Sequence, residues 1–300
     1  MENISVENKN HKAGFVSILG NPNVGKSTLM NQLVGERLSI ITAKAQTTRH
    51  RIMGIVNGDD FQIVYSDTPG VLEPNYKMQE YMMQYVETAL QDSDILLYMV
   101  EVGETKHHQS ILEKVSASST PVILVLNKID KSTPEQVAQS RLYWQELIHP
   151  VETCCISALN SENIDSLVSA IIKLLPFSPP YFSKDELTDR SMRFFVSEII
   201  REKILLLYQK EIPYSVEIEV ISFKEDKDIT RIEATIYVER ESQKSIIIGH
   251  QGTKIKELGI TARLEIEQFI DTKVFLGLSV KVQKDWRNDD NRLKRFGYGF

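Results

Sequence analysis

Residues 20–28 read Gly-Asn-Pro-Asn-Val-Gly-Lys-Ser-Thr, the spacing G-x-x-x-x-G-K-[ST]. Gly20 and Gly25 let the backbone of Asn21, Pro22, Asn23 and Val24 pass close to phosphate oxygens, and the amide groups up to Thr28 form an anion nest at a helix start. Lys26 can reach β- and γ-phosphates, and the Ser27 hydroxyl can ligate Mg²⁺. The competing reading is a chance glycine-rich turn. It loses ground because the apolar run FVSIL precedes the loop and the helical pattern STLMNQLVG follows it.

Further motifs follow in order. Asp67-Thr68-Pro69-Gly70 closes the run FQIVYS. A carboxylate there can hold Mg²⁺ through water, and the Gly70 amide can sense a γ-phosphate. Asn127-Lys128-Ile129-Asp130 closes the run PVILVL. The Asp130 carboxylate can accept two hydrogen bonds from guanine, from N1–H and the 2-amino group, whereas adenine presents a lone pair at N1. Asn127 can meet guanine N7, and the Lys128 stem can lie over the ring. Ser157-Ala158-Leu159 supplies backbone amides for guanine O6. A P-loop kinase would lack the Asn127–Asp130 motif at that place. In the stretch Ala45-Gln-Thr-Thr-Arg49, Thr48 is the expected second hydroxyl ligand of Mg²⁺, with Thr47 held in reserve.

Ras-like enzymes place a water-orienting glutamine directly after DxxG, but Val71 stands there in this chain. Hydrolysis is therefore expected to be slow or assisted from elsewhere. The Asn23 side chain could hold a monovalent cation such as K⁺ beside the phosphates, and equally could do no more than shape the turn.

A second glycine loop, Gly249-His250-Gln251-Gly252, lies near the C-terminus. A GxxG turn between two helices can clamp a nucleic-acid backbone. Lys254 and Lys256 would supply phosphate contacts, and Ile246, Ile247 and Ile248 part of an apolar floor under bases. The tail from Lys281 interleaves six basic residues with Trp286, Phe296 and Tyr298. That suits stacking on single-stranded RNA, with a solvated terminus as the alternative.

The elements that must position these residues fall into two rhythms. Through about the first 175 residues, the short apolar runs GFVSIL, RIMGIV, FQIVYS, DILLYMV, PVILVL and ETCCIS alternate with amphipathic segments. They predict buried strands of a mainly parallel α/β sheet. Pro176, Pro179 and Pro180 interrupt the pattern. Beyond them the order is α-β-β-α-α-β, with alternating strands of the antiparallel kind. The expected division is an α/β P-loop domain over 13–176, a linker over 177–190, and an α+β type II KH domain with its basic tail over 191–300.

Hydrophobic content of 42% and charged content of 25% suit a soluble globular protein. No signal peptide is expected from MENISVENKNHK, and no run is long enough to cross a bilayer. The two neighbouring cysteines suit a reducing cytoplasm. The net charge of −6 falls entirely on residues 1–180, which hold 14 basic and 20 acidic residues; residues 181–300 hold 21 of each. Overall charge therefore does not exclude an RNA partner for the second half.

GNPNVGKSTLMNQLVG, KAQTTRHRIMGI, DTPG, NKID and SAL, followed by a single GxxG domain, resemble the Era family of bacterial GTPases over roughly residues 13–300. The segment after SAL, NSENIDSL, lacks the glycine often found there. The resemblance implies a slow GTP-hydrolysing switch using GTP/GDP, Mg²⁺ and, through Asn23, K⁺. It also implies binding to the 3′ end of 16S ribosomal RNA during assembly of the small ribosomal subunit, a cytoplasmic location with some peripheral membrane association, and a monomeric state. A reading from another class is an RNA-binding adaptor that GTP merely stabilises. A tRNA-modification GTPase would need a further domain.

Overall fold

The structure, a computed structural model, describes residues 10–299; most of the polar N-terminal stretch, with the signal-peptide expectation it carries, lies outside them. The chain divides into two units. One holds the chain to Ser39, Thr48–Glu73 and Met82–Asp189; the other holds Ile40–Thr47, Pro74–Tyr81 and the chain from Arg190.

The first unit contains β1 (Lys12–Leu19), α1 (Lys26–Val34), β2 (Ile52–Asn57), β3 (Phe61–Asp67), most of α2 (Lys77–Gln91), β4 (Ile95–Glu101), α3 (Gln109–Ala117), β5 (Val122–Asn127), α4 (Pro134–Ile148), β6 (Glu152–Ile156) and α5 (Ile164–Leu174). The sheet order is β2-β3-β1-β4-β5-β6. All neighbours are parallel except β2, which runs antiparallel to β3. Central strands covered on both faces need continuous apolar runs, and β5 is buried along its whole length. Register places Ile18 beside Asp67 and Asn127 beside Ile156, so β1, β3, β5 and β6 all end at one edge. In open parallel sheets this carboxyl edge is where ligands are held.

Two expectations change. ETCCIS was expected to be a buried strand, but β6 is last in the sheet order and is partly exposed from Glu152 to Cys155. An apolar run does not reveal whether a strand has a neighbour on both sides. Of residues 177–190, expected as a linker, those up to Asp189 belong to this unit and are hydrogen-bonded to it. The buried Gln62 side chain donates to Phe182 O at 2.8 Å and accepts from Tyr181 N at 2.7 Å. Ile55 N donates to Leu187 O at 2.8 Å, so the open edge of β2 is partly covered.

The second unit contains α6 (Met192–Leu207), β7 (Glu217–Glu225), β8 (Thr230–Val238), α7 (Glu241–Ile248), α8 (Thr253–Ile270), β9 (Val274–Val282) and α9 (Asp290–Arg295). β7 pairs antiparallel with β8, and β8 pairs parallel with β9. One core joins Ile200 and Ile204 of α6, Ile232 and Ile236 of β8, Ile247 of α7 and Leu258 and Ile266 of α8.

The tail is packed rather than presented. Trp286 is 0% exposed and Tyr298 1%. Trp286 Nε1 donates to Ser215 O at 3.3 Å, and its ring meets Phe296 edge-on. The Tyr298 hydroxyl donates to Glu217 Oε2 at 2.7 Å, and Arg295 pairs with Glu219. Trp286 and Tyr298 are therefore not available for stacking on bases. Composition alone leaves an RNA arm and a solvated terminus both open, because aromatic and basic residues serve equally well in packing and in binding. Trp286→Ala is expected to lower the stability of the chain by about 3–5 kcal/mol, read from denaturant unfolding. Unchanged stability together with lost RNA affinity would reinstate the stacking role.

Candidate nucleotide site and candidate nucleic-acid interface

The loop between β1 and α1 owes its shape to glycines with a stated steric reason. Gly20 has φ +150° and a Cβ there would stand 2.2 Å from Met99 O. Gly25 has φ +108° and a Cβ would stand 2.3 Å from Asn127 Nδ2. A Cβ on Gly70 would stand 2.7 Å from Pro22 Cα, so the turn after β3 lies against the loop. Val71 N donates to Gly20 O at 3.2 Å, and the Thr68 hydroxyl donates to Ile18 O at 2.8 Å. Asn23 is left-handed (φ 66°) and exposed, and its carbonyl accepts from Lys128 Nζ at 2.9 Å. Pro69 is buried; Asn21, Pro22 and Thr28 are half-buried along the same turn.

Lys26 is buried and donates to Gly20 O at 3.0 Å and Asn21 O at 2.8 Å. Burial lowers its pKa to about 8, against the opposing pull of Asp67 and Glu104. In front of it three oxygens converge. Ser27 Oγ lies 2.7 Å from Asp67 Oδ2 and 2.8 Å from Thr48 Oγ1, and Thr48 Oγ1 lies 3.5 Å from Asp67 Oδ2. Burial pushes the Asp67 carboxyl upward, opposed by the Ser27 hydrogen bond and the Lys26 charge. Asp67 Oδ1 is buried without a partner of hydrogen-bond geometry, as is the hydroxyl of nearby Ser39. A buried carboxylate with an unsatisfied oxygen beside two hydroxyls is a donor set that fits Mg²⁺. Thr47 lies elsewhere: its hydroxyl is bonded to Thr42 Oγ1 at 2.7 Å and Lys44 O at 2.6 Å, within the second unit.

The base-side residues also come together. Asn127 Nδ2 donates to Val24 O at 2.8 Å, and its Oδ1 accepts from Ala158 N at 2.9 Å. The second amide hydrogen is left for a ligand. Ser157 Oγ donates to Asp130 Oδ1 at 2.6 Å, and Asp130 and Leu159 are exposed. Lys128, itself left-handed at φ 68°, pairs with Glu101. Val71 is buried beside Leu19 and Tyr98, so its side chain belongs to the core.

Two acids escaped the reading of motifs. Glu104 Oε1 accepts from Asn21 Nδ2 at 2.7 Å, and Glu101 tethers Lys128. An acid ending the apolar run ILLYMV, at the edge shared with Asp67 and Asn127, was the available signal.

In the second unit, α7 ends at Ile248 and α8 begins at Thr253. A Cβ on Gly249 (φ +72°) would press on Lys254 Cβ at 2.8 Å. Gly252 has φ +75° with open space around it, so its reason is conformation alone. His250, Gln251, Lys254 and Lys256 are exposed together, and Ile248 is half-buried. The apolar floor is smaller than expected: Ile247 is fully buried in the core, while Ile246 is 41% exposed. A groove of about 310 Å³ beside the turn is lined by Leu207, Tyr208, Lys210, Ile246 and Lys254 among others.

Residues 15–128 match a family described as 50S ribosome-binding GTPase, and residues 211–287 match the KH domain. The chain is 44% identical over 292 residues to GTPase Era of Clostridium kluyveri, covering 96% of this chain and 99% of that one. It is 48% identical over 291 residues to GTPase Era of Syntrophus aciditrophicus, covering 96% and 95%. Two solved structures are similar throughout. A tyrosine-to-alanine variant of Aquifex aeolicus Era bound to GDP and aluminium fluoride has a TM-score of 0.90 at 37% identity, covering 96% of this chain and 100% of that one. Era in complex with MgGDPNP and nucleotides 1506–1542 of 16S ribosomal RNA has a TM-score of 0.92 at 36% identity, covering 97% and 100%.

Asp130→Asn is expected to weaken GTP binding by about a hundredfold and to let xanthosine triphosphate compete, because an amide can donate to the extra xanthine oxygen. Full GTP affinity in the variant, read by fluorescent-nucleotide displacement, would remove Asp130 from the base pocket.

Proposed function

The chain belongs to the Era family of GTPases, which are GTP hydrolases, and on that premise we propose that it is a GTP-driven switch whose KH unit binds the 3′ end of 16S ribosomal RNA during small-subunit assembly. The observation that carries the nucleotide half is the convergence of Ser27, Thr48 and Asp67 in front of buried Lys26. In this reading those three oxygens hold Mg²⁺, which when bound neutralises charge on the β- and γ-phosphates. Lys26 turns from the carbonyls of Gly20 and Asn21 to the phosphates, which restore the full positive charge that burial opposes. The Gly70 amide meets the γ-phosphate, and Asp130 with Asn127 selects guanine over adenine.

The KH half rests on the exposed turn Gly249–Gly252 flanked by Lys254 and Lys256, and on the likeness to an Era bound to that RNA segment. Among the described residues no helix is long and apolar enough to cross a membrane, so in this reading any contact with one is peripheral. K⁺ enters through Asn23: Val71 has no polar group to orient water and its side chain is buried in the core, so in this reading a cation beside the phosphates assists hydrolysis.

Phosphate release by the purified protein is expected to be faster in KCl than in NaCl at equal ionic strength, and to be lost without Mg²⁺. Equal rates in the two salts would reduce Asn23 to a turn residue, and no release under any condition would remove the hydrolase assignment.

The double change His250→Asp/Gln251→Asp brings two carboxylates to the point nearest the RNA backbone while keeping both glycines. RNA affinity, measured by filter retention at one salt concentration, is expected to fall about a hundredfold or more, with basal GTP hydrolysis near wild type. Undiminished affinity in a folded variant would mean that this turn only joins two helices.

A further inference from the structure

The loop after β4 sets an acid against the phosphate loop, and both loops lie in the first unit. Glu104 Oε1 accepts from Asn21 Nδ2 at 2.7 Å. The same amide donates to Lys106 O at 2.8 Å, so both of its hydrogens are engaged by that loop. The backbone carbonyl of Asn21 in turn accepts from Lys26 Nζ at 2.8 Å. The acid is felt at the ammonium: burial disfavours the Lys26 charge, while Asp67 and then Glu104 favour it.

A glutamate free on the surface would turn away from an arriving anion and matter little. Glu104 is held in place. It is half-buried, and its Oε2 accepts from Glu101 N at 3.3 Å. Its backbone N donates to Glu101 O at 3.0 Å, and its carbonyl accepts from Nε1 of the fully buried Trp144 at 2.9 Å. Gly103 N donates to Ser140 Oγ at 2.8 Å, so α4 holds the loop at two points. Tying down Asn21 needs an acceptor but not a charge, and an acid fixed beside a phosphate loop works against the positive field that anions seek. We propose that Glu104 sets how soon the nucleotide leaves: anchored to the phosphate loop through Asn21, its negative charge opposes the phosphates, offsets part of the pull of Lys26, and so hastens the release of GDP. This rests on the reading of Lys26 as a phosphate ligand.

The test is Glu104→Gln in the full chain, which keeps an oxygen for Asn21 Nδ2 and removes the charge. With Mg²⁺ present, dissociation of fluorescently labelled GDP is expected to slow about fivefold, and affinity for GDP and GTP to rise by a similar factor. GMP, which has no β-phosphate, should gain much less in competition, and the gain for GDP should shrink as salt is raised. Unchanged or faster release overturns the proposal. So does an equal gain for GMP or a gain indifferent to salt, since either would mean repacking and not charge. Lys26→Ala is measured in parallel. If it binds GDP as the wild type does, the phosphate-ligand reading of Lys26 fails; if it binds weakly while Glu104→Gln releases GDP at the wild-type rate, only the Glu104 proposal fails. Should Glu104→Gln not fold, Glu104→Met removes the charge without setting an amide against Glu101 N, and wild-type release there overturns the proposal equally.

Discussion

The side-chain amide of Asn127 joins three stretches of chain that are far apart in sequence. It donates to Val24 O in the phosphate loop and accepts from Ala158 N after β6, while its own backbone ends β5. It is 2% exposed, so both bonds are made where an unpaired amide would be costly. The phosphate loop, the turn Asn127–Asp130 and the loop after β6 are thereby fixed to one another. Gly25 follows from this: only a residue without Cβ leaves room for the amide. The sheet supplies the rest of the alignment, since register brings the ends of β1, β3, β5 and β6 to one edge.

Around that frame the site stores opposed charges. Lys26 and Asp67 are both buried, and burial pushes each toward neutrality while each favours the charged form of the other. Backbone carbonyls hold the ammonium, and one carboxylate oxygen accepts from the Ser27 hydroxyl at 2.7 Å and from the Thr48 hydroxyl at 3.5 Å. The orphaned Asp67 Oδ1 marks what a purely protein environment leaves unmet. A phosphate beside Lys26 and a divalent cation beside Asp67 would satisfy both deficits at once. Asp130 is held more simply: it stands exposed and accepts one hydrogen bond from the Ser157 hydroxyl.

The turn at Gly249–Gly252 obeys the same steric logic with fewer constraints. Gly249 is required by contact with Lys254, Gly252 only by its positive φ. Around the tail, α9 and Trp286 close the unit, and Arg287 lies over the Tyr76 ring, with Lys77 paired to Asp290. The basic residues there that composition would assign to RNA include several already engaged with acids of the same unit.

The motif residues and the order of the elements are legible in local sequence pattern. Phosphate chemistry tolerates few residue types at Gly20–Ser27, and burial on two faces or one leaves distinct apolar periods, so both are written in local pattern. The same pattern placed the α-β-β-α-α-β order that gives GxxG its meaning. Only the tertiary structure put the Thr48 hydroxyl beside Ser27 and the Thr47 hydroxyl on Thr42 and Lys44, because adjacent identical side chains differ solely in where the backbone turns them. It alone showed that Trp286, Tyr298 and Ile247 face a core, that β6 is an edge, and that Glu104 reaches Asn21, since each depends on a neighbour distant in sequence. It alone assigned residues 40–47 to the second unit, through a guanidinium on α6 about 155 residues away gripping two backbone carbonyls that carry no sequence signal.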